Sequence, residues 1–456
     1  MPRRHLRMLR VALALLPGTL LLGAALVAGP SSAGAQGLGD LGGALTPMGA
    51  IRAANAQGTI PEWSGGMTEM PRLFTAGRHH PDPFVDDARW FTVRAEELDR
   101  FAMRLSAGQR ELLRRHPDSF EMPMYLTRRT AAAPQRIYDA TIANARRARL
   151  TENGLAVTGA EVGIPFPVPA DGAQAMWNHI LRWRGIAVRR FDGIAVPEPD
   201  GRLDLGLYRE EWLADHTAGA GGLTAFSYKR TGLRPESVAG GVLLLRETLN
   251  PLRQERAAWY RAPGKTAVVR APDFSYGTPD PATDGLRTAD MLDMFSGLLD
   301  RFDFTLVGRR EMYVPYNAYR MNMAALAPRD FLWPAHPDPA FLRYELHRVW
   351  VVTATLKRSF RHPFPRRTYY LDEDSWQILM ADHYDATGTL ARYAEAHGVT
   401  LPEVPVFLPT VEFTFDFARG RYVAAGLDNQ EAPPVFETTP KPAAFTPESL
   451  RPARRW

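Results

Sequence analysis

Residues able to do acid–base or metal chemistry are densest between Arg367 and Tyr393, where Asp372, Glu373, Asp374, Asp382, His383 and Asp385 fall close together. Carboxylates and an imidazole at one point could hold a divalent cation or exchange a proton with a substrate. The spacing argues for something blander. Tyr369, Tyr370 and Leu371 read as the end of a strand and Asp372–Ser375 as a turn, while Trp376, Ile378, Met380 and Tyr384 alternate along the next strand. From Asp374 to Asp382 the extended chain covers roughly 26 Å at ~3.3 Å per residue, so the two acidic groups sit at opposite ends of that strand. Asp382 and Tyr384 face one side, His383 and Asp385 the other. Asp385, Ala386, Thr387 and Gly388 make a second turn, with Gly388 able to take positive φ. Asp and Ser suit such turns because their side chains accept hydrogen bonds from nearby backbone N–H groups.

Glu345 and His347 are two residues apart on one strand face and could pair. A His–Glu pair without a nucleophile is weak evidence for catalysis, and polar residues on a solvated strand face are common. His179, between Trp177 and Trp183, reads as a satisfied interfacial histidine. The chain has no HExxH, P-loop, GxSxG or GxGxxG string. The stretch from Asp280 to Leu286 has a faint calcium-loop look, but its Asp spacing is wrong and no Glu closes it, so it reads as a loop. With no Cys there is no disulfide, thiolate nucleophile or lipid-bearing cysteine. Neither a metal nor a cofactor is expected.

Helices and strands must position whatever site exists. Ser106–Gln109 has the form of a capping box, opening a helix that stops before Pro117. A second helix runs from Asp171 to Gly185, Asp171 capping its start and Gly185 supplying a left-handed exit. Met176, Trp177, Ile180, Leu181 and Arg184 form its stripe. A third helix is expected over 288–301. Elsewhere the pattern has period two, with strands expected over 186–196, 203–212, 223–231, 241–249, 255–262, 265–271, 302–314, 341–357, 366–371, 376–384, 389–394 and 410–424. This series is a mainly β fold, an antiparallel meander curved or closed to protect its edges. The 38 Pro and 37 Gly agree with many turns.

Residues 1–35 stand apart. Arg3, Arg4, Arg7 and Arg10 precede the apolar run 11–29, and small residues end at Ala35. This is the pattern of a secretory signal peptide with cleavage expected after Ala35. Four of the 55 basic residues lie there with no acid, so the formal charge of +5 falls to near +1 in the remainder, and nothing asks for nucleic acid or an acidic membrane. The expected product is periplasmic, with no stable membrane span. Residues 36–50 read as a flexible linker, 51–427 as one domain and 428–456 as a Pro-rich extended tail.

Seven strings in order resemble one family of exported bacterial proteins, the domain of unknown function 1329. They are GTIPEWSGG from Gly58, the segment Tyr125–Ala145 with RRTAAAPQ, IPFPVPA from Ile164, WNHILRWRG from Trp177, GRREMYVPYNAYR from Gly308, YELHRVWVV from Tyr344, and YLDEDSWQIL from Tyr370 with YDATGT from Tyr384. The resemblance spans about residues 51–430. It implies a LolA/LolB-like half-barrel covered by helices and a role in moving an apolar molecule. It also implies a partnership with an exporter of the resistance–nodulation–division (RND) superfamily and an outer-membrane companion protein. It supplies no catalytic residues. The expected ligand site is an apolar cavity between the curved sheet and the Trp177 helix. Its expected lining is Trp177, Ile180 and Leu181 of the helix, Tyr344, Leu346, Trp350 and Val352 of one strand, and Trp376, Ile378 and Met380 of another. The leading expectation is a non-catalytic carrier or accessory factor for a lipid-like molecule. The alternatives are a protein-docking module of an envelope complex without its own ligand, and a hydrolase built near Glu345 and His347.

Overall fold

The computed structural model describes residues 37–216, 222–272, 274–439 and 441–452. Residues 1–35, read as a signal peptide with cleavage expected after Ala35, lie outside these residues. Among the described residues no helix is long and apolar enough to cross a membrane.

Short strands β1 (Phe91–Val93) and β2 (Met122–Met124) come first, then the hairpin β3 (Arg149–Thr151) and β4 (Ala156–Thr158). A first meander follows: β5 (Ala187–Pro197), β6 (Leu203–Leu213), β7 (Thr224–Arg234), β8 (Val242–Thr248), β9 (Ala257–Arg261) and β10 (Val269–Arg270). The second meander comprises β11 (Phe302–Pro315), β12 (Tyr344–Leu356), β13 (Arg366–Asp372), β14 (Ile378–Tyr384), β15 (Leu390–Leu401), β16 (Val406–Asp416) and β17 (Arg421–Leu427), and β18 (Val435–Glu437) ends the series. All but β3 and β4 belong to one sheet, ordered β1-β2-β12-β13-β14-β15-β16-β17-β5-β6-β7-β8-β9-β10, with β11 on β12 and β18 on β5. It is not closed into a barrel. Among the described strands of this sheet the pairings are antiparallel, except the parallel contact of β2 with β12 at Met124 and Tyr344.

The helices are α1 (Leu98–Phe101), α2 (Ala107–Arg115), α3 (Gln135–Arg147), α4 (Gly172–Leu181) and α5 (Pro328–Phe331). The Ser106–Gln109 capping box is complete, and Asp171 accepts from Gln174 N–H. The helix expected to run to Gly185 ends at Leu181, where Arg182 turns to extended backbone at ψ 157°, and Gly185, at φ 87°, lies in the segment beyond it. One buried cluster joins Trp177, Ile180 and Leu181 of α4 to Tyr228, Leu245, Trp350, Ile378, Ala396 and Leu408. Residues of strands as distant in the sheet order as β8 and β12 thus share one buried cluster, which requires strong curvature. A second cluster covers the opposite face, where Leu112 and Leu113 of α2 pack with Val351, Tyr370, Tyr393 and Phe415.

Several expectations are corrected. The helix expected over 288–301 is a 3-10 turn, Ala289–Met294, broken where Asp293 takes φ 55°. The strand expected over 410–424 is two, β16 and β17, parted by a turn at 417–420. Residues 45–50, read within a loose linker, contain buried Leu45, Met48 and Ala50, and Gly49 at φ 84° lies so close to Pro167 that a Cβ would stand 1.8 Å from its carbonyl oxygen. In the C-terminal stretch β18 pairs with β5, and Phe445 and Leu450 pack on Leu213, Val242 and Leu244.

Candidate functional site

The acidic turn between β13 and β14 is the buried centre of an ionic cluster. Its turn chemistry is as read: Ser375 N–H and Oγ donate to Asp372 Oδ2 at 3.1 and 2.6 Å. Sequence reading missed the burial, with Asp372 and Glu373 at most 1% exposed. Arg129 grips Asp374 through two bonds, Nη2–Oδ1 at 2.7 Å and Nε–Oδ2 at 2.9 Å. Glu373 lies 3.4 to 3.5 Å from Arg129, Arg348 and Arg309. Burial, then Asp374, push Glu373 up to about 7 and Asp372 up to about 6. Across the second end, Asp382 accepts from Ala107 and Gly108 N–H at the start of α2 and from the Tyr370 hydroxyl. Burial pushes it up to about 6. The exposed turn is as expected, with Asp385 accepting from Thr387 N–H and Gly388 at φ 83°.

Glu345 and His347 do pair, at 3.1 Å, but not on a solvated face. Glu345 also accepts from Arg343 Nε at 2.7 Å, Asn317 Nδ2 at 2.9 Å and Arg128 N–H at 2.7 Å, while Tyr316 stacks on His347 at 3.9 Å. Burial raises the Glu345 carboxyl, and these contacts overcome it and hold it below the usual range. His347, Asp372 and Asp374 each bring one potential metal-ligand atom within 4.8 Å of the others. Both Asp374 oxygens are occupied by Arg129, whereas Asp372 Oδ1 is buried with no hydrogen-bond partner among the described residues. His179 is satisfied as read: its ring nitrogens lie 3.2 Å from Trp376 O and 3.0 Å from Asp293 O.

The ten expected lining residues are all buried, and the structure does not bring them to one place. Trp177, Ile180, Leu181, Trp350, Val352, Trp376 and Ile378 share the α4 cluster. Tyr344, Leu346 and Met380 belong to the opposite one. Met380 and Ile378 part because the register slips beside Leu379: Tyr370 pairs with Met380 and Leu371 with Ile378, so one residue bulges and alternation resets. Trp376 is not a strand residue. It sits in the turn at φ 63°, its indole N–H bonded to Met48 O at 2.9 Å. Trp350 and Trp376 stack at 6.0 Å.

Open space lies at the rim of the core, in the first meander. A cavity of about 300 Å³ is bounded by Tyr208 of β6, Arg230 of β7, Leu243 of β8 and Tyr260 of β9, with Val238 at one side and Phe274 and Pro281 from the loop above. Its walls are mainly apolar. At its inner end Arg230 and Asp280 form a two-bond pair, both contacts 2.9 Å. Beyond them is a small chamber of about 30 Å³ lined by Arg190, Asp192, Glu210, Arg287 and Glu412. At the outer end Tyr208, Pro281 and Ala282 are shared with a wider cleft lined by Leu203, Leu205 and Arg421. The faint calcium-loop stretch is thus part of the roof: Asp280 caps the 3-10 turn Pro281–Thr283 and faces Arg230. A signal was available in the sequence. The inward positions of β6 read Tyr208, Glu210, Trp212 and those of β7 read Tyr228, Arg230, Gly232, which sets an acid and a base among aromatics.

An uncharacterized protein of Pseudomonas aeruginosa is 37% identical over 417 residues, 90% of this chain and 92% of that one. Among solved structures, an outer membrane lipoprotein-sorting protein domain from Vibrio parahaemolyticus aligns with TM-score 0.43 and 12% identity over 61% of this chain and 97% of that one. A LolA superfamily protein from Nitrosomonas europaea aligns with TM-score 0.35 and 14% identity over 61% and 98%. The profile of the protein family of unknown function DUF1329 matches residues 92–451, and the chain belongs to that family.

Proposed function

We propose that the protein is a non-catalytic carrier of a lipid-like or hydrophobic molecule, acting in the periplasm after removal of residues 1–35. The observation that carries this reading is the cavity of about 300 Å³ with mainly apolar walls and a cleft leading to it. The site moves from the α4 cluster, where the sequence placed it, to the β6–β9 rim. Removing about 300 Å² of ligand surface from water supplies roughly 7 kcal/mol before ordering costs, enough for reversible capture. The RND-type exporter and the outer-membrane companion enter as the donor and acceptor that such a carrier needs. They rest on the family resemblance.

The test is the intact mass of the protein isolated from its native envelope without detergent, under native and denaturing conditions. An added mass that is lost on denaturation and extracts into organic solvent supports the carrier. A clean apo mass with no uptake of a fluorescent apolar probe sinks it and favours a docking module. A cross-linked pulldown that recovers no exporter removes the partner proposal alone.

A further inference from the structure

The polar end of the cavity restricts what its occupant can be. Two polar side chains, Arg230 and Asp280, stand at that inner end, and Tyr208 lines the wall between the cavity and the outer cleft. Ser237 and Tyr260 line the outer part and are exposed. Arg230 and Asp280 saturate each other at 2.9 and 2.9 Å, and Asp280 Oδ1 takes Ala282 N–H as well, at 3.1 Å. Arg230 also lies over the Tyr208 ring, 5.3 Å from its centroid. The Tyr208 hydroxyl has no hydrogen-bond partner among the described residues, although the side chain is only 7% exposed. Burial raises its pKa, so the phenol keeps its proton and can donate to an occupant of the cavity.

The chamber behind the pair carries an excess of acid. Arg190, Arg230 and Arg287 face Asp192, Glu210, Asp280 and Glu412. Asp293, also on its wall, is held by Arg182 through 2.9 and 2.5 Å bonds. Burial and Glu210 push Asp192 up to about 7, as expected where carboxylates outnumber guanidinium groups. An anionic head entering here would find no free cation and would add one more negative charge to a desolvated acidic site.

Resting on the carrier reading, we infer that the occupant presents a neutral hydrogen-bond acceptor, an ester, amide or ketone oxygen, to the Tyr208 hydroxyl, and that long-chain carboxylates are disfavoured. The apolar body then lies along Leu243, Val238 and Phe274.

The test uses the chain from Gln36 onward, the fluorescent probe N-phenyl-1-naphthylamine, and displacement at pH 8 by methyl palmitate and by palmitate, both below their aggregation limits. Methyl palmitate is expected to displace the probe at about tenfold lower concentration than palmitate, given the cost of burying an unpaired charge. Y208F is expected to weaken the ester about fivefold, the worth of one hydrogen bond, and to leave palmitate unchanged. Palmitate displacing as well as the ester, or an ester affinity indifferent to Y208F, overturns the inference while leaving an apolar carrier standing. Failure of the probe to bind at all overturns both. The wild-type ester-to-acid ratio decides alone should Y208F not fold.

Discussion

Replacing Arg129 by Met tests whether the buried ionic cluster is held by charge compensation. Arg129 is 7% exposed and gives two bonds to Asp374, one contact to Glu373, and Nη1 contacts to the carbonyls of Arg52 and Pro61 at 3.2 and 3.3 Å. Met keeps the apolar stem and removes the charge. Breaking a buried pair from one side costs about 3–5 kcal/mol, because the partner is left charged and dry. For a unit of about 420 residues the unfolding entropy is about 0.9 kcal/mol/K, so a 4 kcal/mol loss lowers Tm by about 4–5 °C. Glu373 is already pushed up to about 7, so the cluster can absorb part of the loss by taking protons, and the Tm drop is expected to be larger at pH 8 than at pH 5.5. Scanning calorimetry of R129M and of R129M/D374N reads both effects. The double variant is expected to recover more than half the loss. A single variant within 1 °C of wild type, or a double variant no better than the single, would refute compensation as the reason these residues are together.

Three further outcomes are expected. Ala282→Trp places an indole between cavity and cleft, and uptake of the apolar probe should fall about tenfold or more by fluorescence titration, with Tm within about 2 °C. Asp382 has its folded pKa raised to about 6 from 3.8. Wild type therefore loses stability relative to D382N as pH rises from about 4 to about 6 and gains it back as pH falls, by about 3 kcal/mol in all, read as a Tm gap that changes over that window and is flat above it. Gly49→Ala forces a Cβ into the Pro167 carbonyl at φ 84°, and a loss of about 3 kcal/mol or more should appear as a lower thermal midpoint.

Local chemistry was the most legible part of the fold. Ser106 and Asp171 announce their helices because capping is decided within four residues. The strands of the two meanders follow from alternation, and most begin and end within a few residues of expectation. Helix α3 escaped notice: Pro134 offers no capping side chain, and its buried stripe of Ile137, Tyr138, Thr141 and Asn144 is half polar. Thr141 and Asn144 are buried because the 161–164 segment lies on them, as Asn144 Nδ2 bonds Val162 and Ile164 carbonyls. Met380 parts from Trp376 and Ile378 for a related reason. A bulge at Leu379 cannot be seen in a period-two pattern, yet it moves Met380 through the sheet. The acidic turn was misjudged because its cations, Arg129 and Arg309, come from distant parts of the chain.

The pairing of β17 with β5, through Ala424 with Ala195 and Leu427 with Gly193, has a consequence for how the chain is made. The first meander emerges from the ribosome well before the strand that completes it, so β5 waits with one edge bare until Arg421–Leu427 is made. Such a long loop closes slowly, and an open edge in the meantime invites pairing with another chain. A chain stopped short of Leu427 would keep its longest hairpins and lack the seam between them.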